Sequence, residues 1–144
     1  MKTVEFRVPV RTVSEANSRS HWSARMRRVK AQRQVVTLAA MATGMPRCKC
    51  GCLQWIAAQE HWQQRPIKQL WVTLTRIAPD ALDTDNLASS NKALRDELAV
   101  LLGIDDRSND VAWAYAQRRG DVREYAVEVR ITEAASCDVK PVTP

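Results

Sequence analysis

Leu87, Leu94, Leu98 and Leu101 step by seven, four and three residues, and Gly103 follows shortly after. Steps of that size return to one face of a helix, and glycine suits its left-handed end, so the spacing predicts a helix over Asn86–Leu102. A helix with one apolar face must bury it against another layer. The flanking segments supply a sheet. Lys68–Ile77 is rich in Val, Thr, Leu and Trp and is broken by Pro79. Val111–Arg118 and Val122–Thr132 flank Arg119-Gly120-Asp121, which reads as a hairpin turn. In the second of them Tyr125, Val127, Val129 and Ile131 point inward, with Glu128 and Arg130 outward. Thr3–Val10 alternates likewise, Val4, Phe6, Val8 and Val10 against Glu5 and Arg7.

A second helix is expected from Ser20 to about Thr43. Trp22, Met26, Val29, Val36 and Ala40 form its apolar stripe, Arg33 intrudes on that stripe, and Gly44-Met-Pro46 ends it. Trp22, at the head of the stripe, reads as core, with stacking on bases, together with His21, as the alternative. Arg47–Pro66 is a Cys-rich loop with a short helix conceivable around Cys52–Trp62. The order strand–helix–strand–helix–strand–strand is an α+β fold in one small domain, 1–133, and 134–144 is a polar tail expected to fray. The 144 residues, 45% hydrophobic and 26% charged, are ordinary globular composition. The weakly polar stretch Val35–Met45 is far shorter than a membrane span, and charges occupy the amino terminus where a signal peptide needs an apolar core. The expectation is a soluble cytoplasmic protein with reduced cysteines and no membrane partner.

Charge is divided sharply. Ala16–Gln59 holds eight basic residues and no acid, whereas Asp80–Asp110 holds eight acids against Lys92, Arg95 and Arg107. A basic segment invites a polyanion, while an acidic patch in the same domain repels one. A divalent cation would reverse the field of the acidic patch; two solvated faces of opposite sign is the plainer reading. Within the patch, Asp83-Thr84-Asp85-Asn86 precedes the leucine helix. If the segment is extended, Asp83 and Asp85 project to one side with Cα atoms roughly 6.6 Å apart, a spacing that suits two hard oxygen ligands of Mg²⁺. Alternatively Asp85 is simply the helix N-cap. Asp105 and Asp106, past Gly103, could add a third carboxylate only if both ends of the helix return to one sheet edge. Lys92 and Asp96 are an i, i+4 pair, or Lys92 faces a phosphate.

Leu82-Asp-Thr-Asp-Asn-Leu87, Lys92-Ala-Leu-Arg-Asp96 and Leu102-Gly-Ile-Asp-Asp106 together resemble the signature of the RusA family of Holliday junction resolvases, found on bacterial chromosomes and prophages. The likeness extends from about Val4 to Glu133, through an early Asn17, a basic helix and the closing Val129-Arg-Ile-Thr-Glu133. The resemblance implies a Mg²⁺-dependent endodeoxyribonuclease that cuts four-way DNA junctions symmetrically as a homodimer, with no small-molecule cofactor. It implies Asp83, Asp85 and Asp106 as catalytic metal ligands and Lys92 as the catalytic lysine. The family lysine usually stands four residues after the second Asp, which is Ser89 here, whereas Lys92 stands seven after it. Asn17, Arg19, Arg25, Arg27, Arg28, Lys30 and Arg33 would then face DNA, largely through its phosphates.

Cys48-Lys-Cys50-Gly-Cys52 could hold zinc with His61 or Cys137, but it lacks the usual Cys-x-x-Cys knuckle, and reduced surface thiols are the expectation. Two other classes compete with the nuclease. One is a protein that binds branched DNA without cutting it, and the other is an interaction protein whose basic helix meets an acidic partner.

Overall fold

Three rows of side chains across a four-stranded sheet show how this chain makes its core and where the core stops. The computed structural model describes residues 3–15, 19–44, 70–105, 107, 109 and 111–133. The elements are β1 (Thr3–Val8), α1 (Trp22–Ala42), β2 (Leu70–Ala78), α2 (Thr84–Ser90), α3 (Lys92–Leu102), β3 (Val111–Arg119) and β4 (Ala126–Glu133). The sheet order is β1-β4-β2-β3, with β4 antiparallel to β1 and β2, and β2 parallel to β3. The register aligns Val4, Ile131, Val72 and Trp113 in one row, then Phe6, Val129, Leu74 and Tyr115. The third row is Val8, Val127, Arg76 and Gln117, so it turns polar at the carboxyl ends of β2 and β3. Helices α1 and α3 cover the apolar rows through Val36, Ala40, Leu94, Leu98, Leu101 and Leu102. Each fully buried leucine contributes about 1.5–3 kcal/mol. The opposite face carries the ion pairs Arg130–Glu5 and Arg118–Glu128. The expected α+β class is therefore present, as a mixed sheet with three helices among the described residues.

Two expectations are corrected. The predicted helix over Asn86–Leu102 is two helices, starting at Thr84 and interrupted at Asn91. The cause is local. Ser90 Oγ and Asn91 Nδ2 both donate to Leu87 O at 2.9 Å, the carbonyl a continuing helix would bond through the Asn91 N–H. That N–H goes to Ala88 O instead, at 3.2 Å, and the Asn91 carbonyl accepts from Arg95 N to start α3. The leucine face persists across the break because α3 alone supplies Leu94, Leu98, Leu101 and Leu102. Gly103 ends it at φ 67°, as expected.

The second correction concerns the hairpin. β3 and β4 lie on opposite sides of β2 and do not pair. Residues 120–125 cross the end of β2, and Gly120 N donates to Ala78 O at 2.9 Å. A Cβ on Gly120 would stand 2.8 Å from Ile77 Cγ2, so glycine is needed there for close approach, and not for a tight two-strand turn. The predicted start of the last strand at Val122 moves to Ala126, since Arg123 sits at φ 65° within the crossing. The Cys-rich segment, Cys48, Cys50, Cys52, Cys137, Asn17, Asp106 and the 134–144 tail lie outside the described residues. Among the described residues, no helix is long and apolar enough to cross a membrane.

Candidate functional site

The polar end of the third row fixes the loop that carries the acidic motif. Arg76 lies in β2, whose other buried residues are all apolar, and is only 6% exposed. Its Nε donates to Thr12 Oγ1 at 3.2 Å and its Nη1 donates to Asp80 O. Burial pushes the guanidinium below its ordinary pKa, opposed by the Asp80 charge. Gln117, next in the row, grips Leu82 twice: Leu82 N donates to Oε1 at 2.9 Å, and Nε2 donates to Leu82 O at 2.6 Å. The chain therefore leaves β2 held at residues 80 and 82, and Asp83 follows from a fixed backbone.

Asp83 is the N-cap of α2. One carboxylate oxygen accepts from Asn86 N at 2.8 Å and the other from Asn86 Nδ2 at 2.9 Å. Ser14 Oγ, on the loop after β1, donates to Asn86 Oδ1 and ties that loop to the cap. Asp85 lies in the first turn of α2 and is exposed. The extended Asp-x-Asp geometry is thus not formed, because Thr84 onward is helical, and the capping role falls to Asp83 in place of Asp85. Both carboxylates remain at one helix start, each a hard oxygen donor open to solvent.

Asp105 is exposed past Gly103, and its Oδ1 accepts from Arg107 N at 2.9 Å. Asp106 lies outside the described residues. Among the described residues no three acids, histidines or cysteines are grouped as metal ligands. A continuous helix from 84 to 102 would hold its ends roughly 27 Å apart, and the break at Asn91 removes that constraint.

Lys92 opens α3, and its Nζ lies 3.5 Å from Asp96 Oδ2, with the lysine side chain 69% exposed. Such a pair adds only about 0.3–0.5 kcal/mol, so it leaves Lys92 available to a stronger anion. Ser89 and Lys92 line the same cavity of about 370 Å³ between α1 and the α2–α3 junction. A lysine at either position would therefore meet the same space.

The basic helix is less basic than its sequence. Arg28 forms two hydrogen bonds to Glu15, 2.9 and 2.8 Å, and a third to Ser20. That contact holds the Glu15 carboxyl below its ordinary range against the opposing effect of burial. Arg33, whose place on the apolar stripe was anomalous, pairs with Glu97 at 2.6 Å, and Thr37 donates to the other Glu97 oxygen. Arg19, Arg25, Arg27 and Lys30 remain exposed. Trp22, expected in the core, is 71% exposed, and Met26 is 57% exposed. The anchoring residues Thr12, Ser14, Arg76 and Gln117 were missed from sequence. The one available signal was Arg76, a charge inside a strand-like run and not at its end. No protein-family model matches the chain, and a search of curated proteins finds no match.

Proposed function

We propose that the chain is a RusA-like, structure-selective endodeoxyribonuclease that resolves four-way DNA junctions with Mg²⁺, acting as a homodimer. The observation that carries this reading is the anchored loop at the end of β2, which holds Asp83 and exposed Asp85 at one helix start, in a motif matching the family pattern. Mg²⁺ commonly binds one or two carboxylates and keeps several waters, which the two solvent-facing oxygen donors suit. Asp83, Asp85 and Asp106 would hold it, where it supplies an activated water and neutralises phosphate charge. Lys92 would approach the phosphate by giving up its weak pair with Asp96. Exposed Arg19, Arg25, Arg27 and Lys30 would take backbone phosphates, while Arg28 and Arg33 brace α1 through Glu15 and Glu97. Resolution needs two cuts at symmetry-related positions, and two subunits about a two-fold axis would provide two sites.

A mobile four-way junction and a linear duplex of the same sequence, each with and without Mg²⁺, test the proposal. Paired symmetric cuts in the junction alone are expected. Asp85→Asn should reduce cutting by orders of magnitude and leave junction binding intact. Normal cutting by Asp85→Asn would remove the metal assignment. The capping of α2 through both Asp83 oxygens, a structural use of that carboxylate, favours a second reading, a branched-DNA binder that does not cut, and retention of the junction without cleavage in Mg²⁺ would select it.

A further inference from the structure

The cavity beside Lys92 has an unusual rim. Met26, Val29 and Ala93 give it apolar walls, Trp22 stands at the start of α1, and Arg25 and Lys92 are the cations on its edge. Of the two acids that also line it, Glu15 is matched by Arg28, and Asp96 holds Lys92 only through an exposed 3.5 Å pair that a phosphate would replace. His21 lies 5.8 Å from the Trp22 ring at 39°, tilted and not stacked, so the indole has no parallel ring partner among the described residues. A large aromatic left mostly in water, over a cavity within the roughly 300–1,000 Å³ range of ligand sites, is suited to a flat, partly apolar guest. Arg25 and Lys92 on the rim, with exposed Arg19 and Arg27 within five residues of Trp22 in the chain, favour an anionic guest. A single-stranded nucleotide meets both demands: every base has a π face, and every link carries a phosphate.

We infer that this cavity accepts one unstacked base of a DNA strand, lying on Trp22 with flanking phosphates on Arg25 and Lys92. The inference rests on the proposed action on DNA and adds to it a site for an unpaired nucleotide at the carboxyl end of α2, whose amino end carries the acidic pair. It is tested with the full chain in EDTA, titrated into a short oligothymidylate carrying one fluorescent adenine analogue, and separately into a duplex and a four-way junction. Wild type and Trp22→Phe should quench the analogue. Trp22→Ala should weaken single-strand binding by about tenfold, with little change on duplex, because stacking is lost while phosphate contacts remain. Trp22 is exposed, so its truncation should leave the fold intact, and an unaltered thermal midpoint verifies it. Single-strand binding by Trp22→Ala equal to wild type, with the junction still bound, overturns this inference alone. Failure of wild type to bind any of the three DNAs overturns it together with the reading beneath it. A dimer that falls to monomer in Trp22→Ala without DNA would assign the cavity to a second copy of the chain, and also overturns the inference.

Discussion

Under the proposed function Asp83 would do two things at once, bind metal and cap α2, where both of its oxygens accept from Asn86. The two roles separate by substitution. Asparagine caps a helix nearly as well as aspartate, whereas alanine costs about 0.5–2 kcal/mol. Asp83→Asn should therefore keep the unfolding midpoint in urea, and Asp83→Ala should lower it. Both should abolish junction cutting in Mg²⁺ if the carboxylate charge is needed for the metal. An Asp83→Asn chain that both folds and cuts normally would leave Asp83 a cap and nothing more. At this scale the sequence disclosed the charged residues but not their partners. Asp83 and Asp85 stood out by spacing, yet which of them caps depended on where the helix began. Arg28 and Arg33 looked free because their acids, Glu15 and Glu97, lie outside the acid-free segment. The exposure of Trp22 was equally hidden, since the stripe it heads continues into buried Val36 and Ala40 while its own turn projects past the core.

Among the elements, the strands and the leucine face were legible and their connections were not. Alternation in β4 and β1 located both strands to within a few residues, because a half-buried strand must alternate. The Gly120 turn was misread because a glycine between two strand-like runs is the usual hairpin signal, and only the sheet order shows that β2 lies between them. The break at Asn91 was masked by the leucine spacing that runs across it. Gly120→Ala tests the crossing. The added methyl would meet Ile77 Cγ2 at 2.8 Å and the Glu124 carbonyl oxygen at 3.2 Å, so a loss of about 1–3 kcal/mol is expected in urea unfolding. An unchanged midpoint would mean that the crossing yields freely.

At the scale of the whole sheet, the described residues form two inner strands, β4 and β2, and two outer ones, β1 and β3. Amides that open only with global unfolding belong to strands paired on both sides, whereas an edge can open by itself. Native-state hydrogen exchange should therefore give the slowest amides in Val72, Leu74, Val127 and Val129, and faster ones along the outer side of β3. Equal protection of β3 on both sides would reveal another strand against it. The α+β class was legible because helix and strand periods were both clear. The strand order was not, since the pairing of β1 with β4 joins Thr3 to Thr132 and leaves no local trace.

That same pairing sets a timetable during synthesis. β1 ends at Val8, and the strand that must slot between it and β2 begins at Ala126. At ribosomal speeds of about 5–20 residues per second, the wait is roughly 6–24 s. Through that interval the nascent chain carries Val4 and Phe6 with no sheet partner, a natural target for chaperones. A message cut short before β4 yields a chain missing the inner strand beside Arg76, the residue that fixes the acidic loop. The side chains that anchor the acidic loop, Thr12, Ser14, Arg76 and Gln117, are all made before β4, so the last strand serves the site by completing the sheet beneath it and not by supplying a contact to the loop.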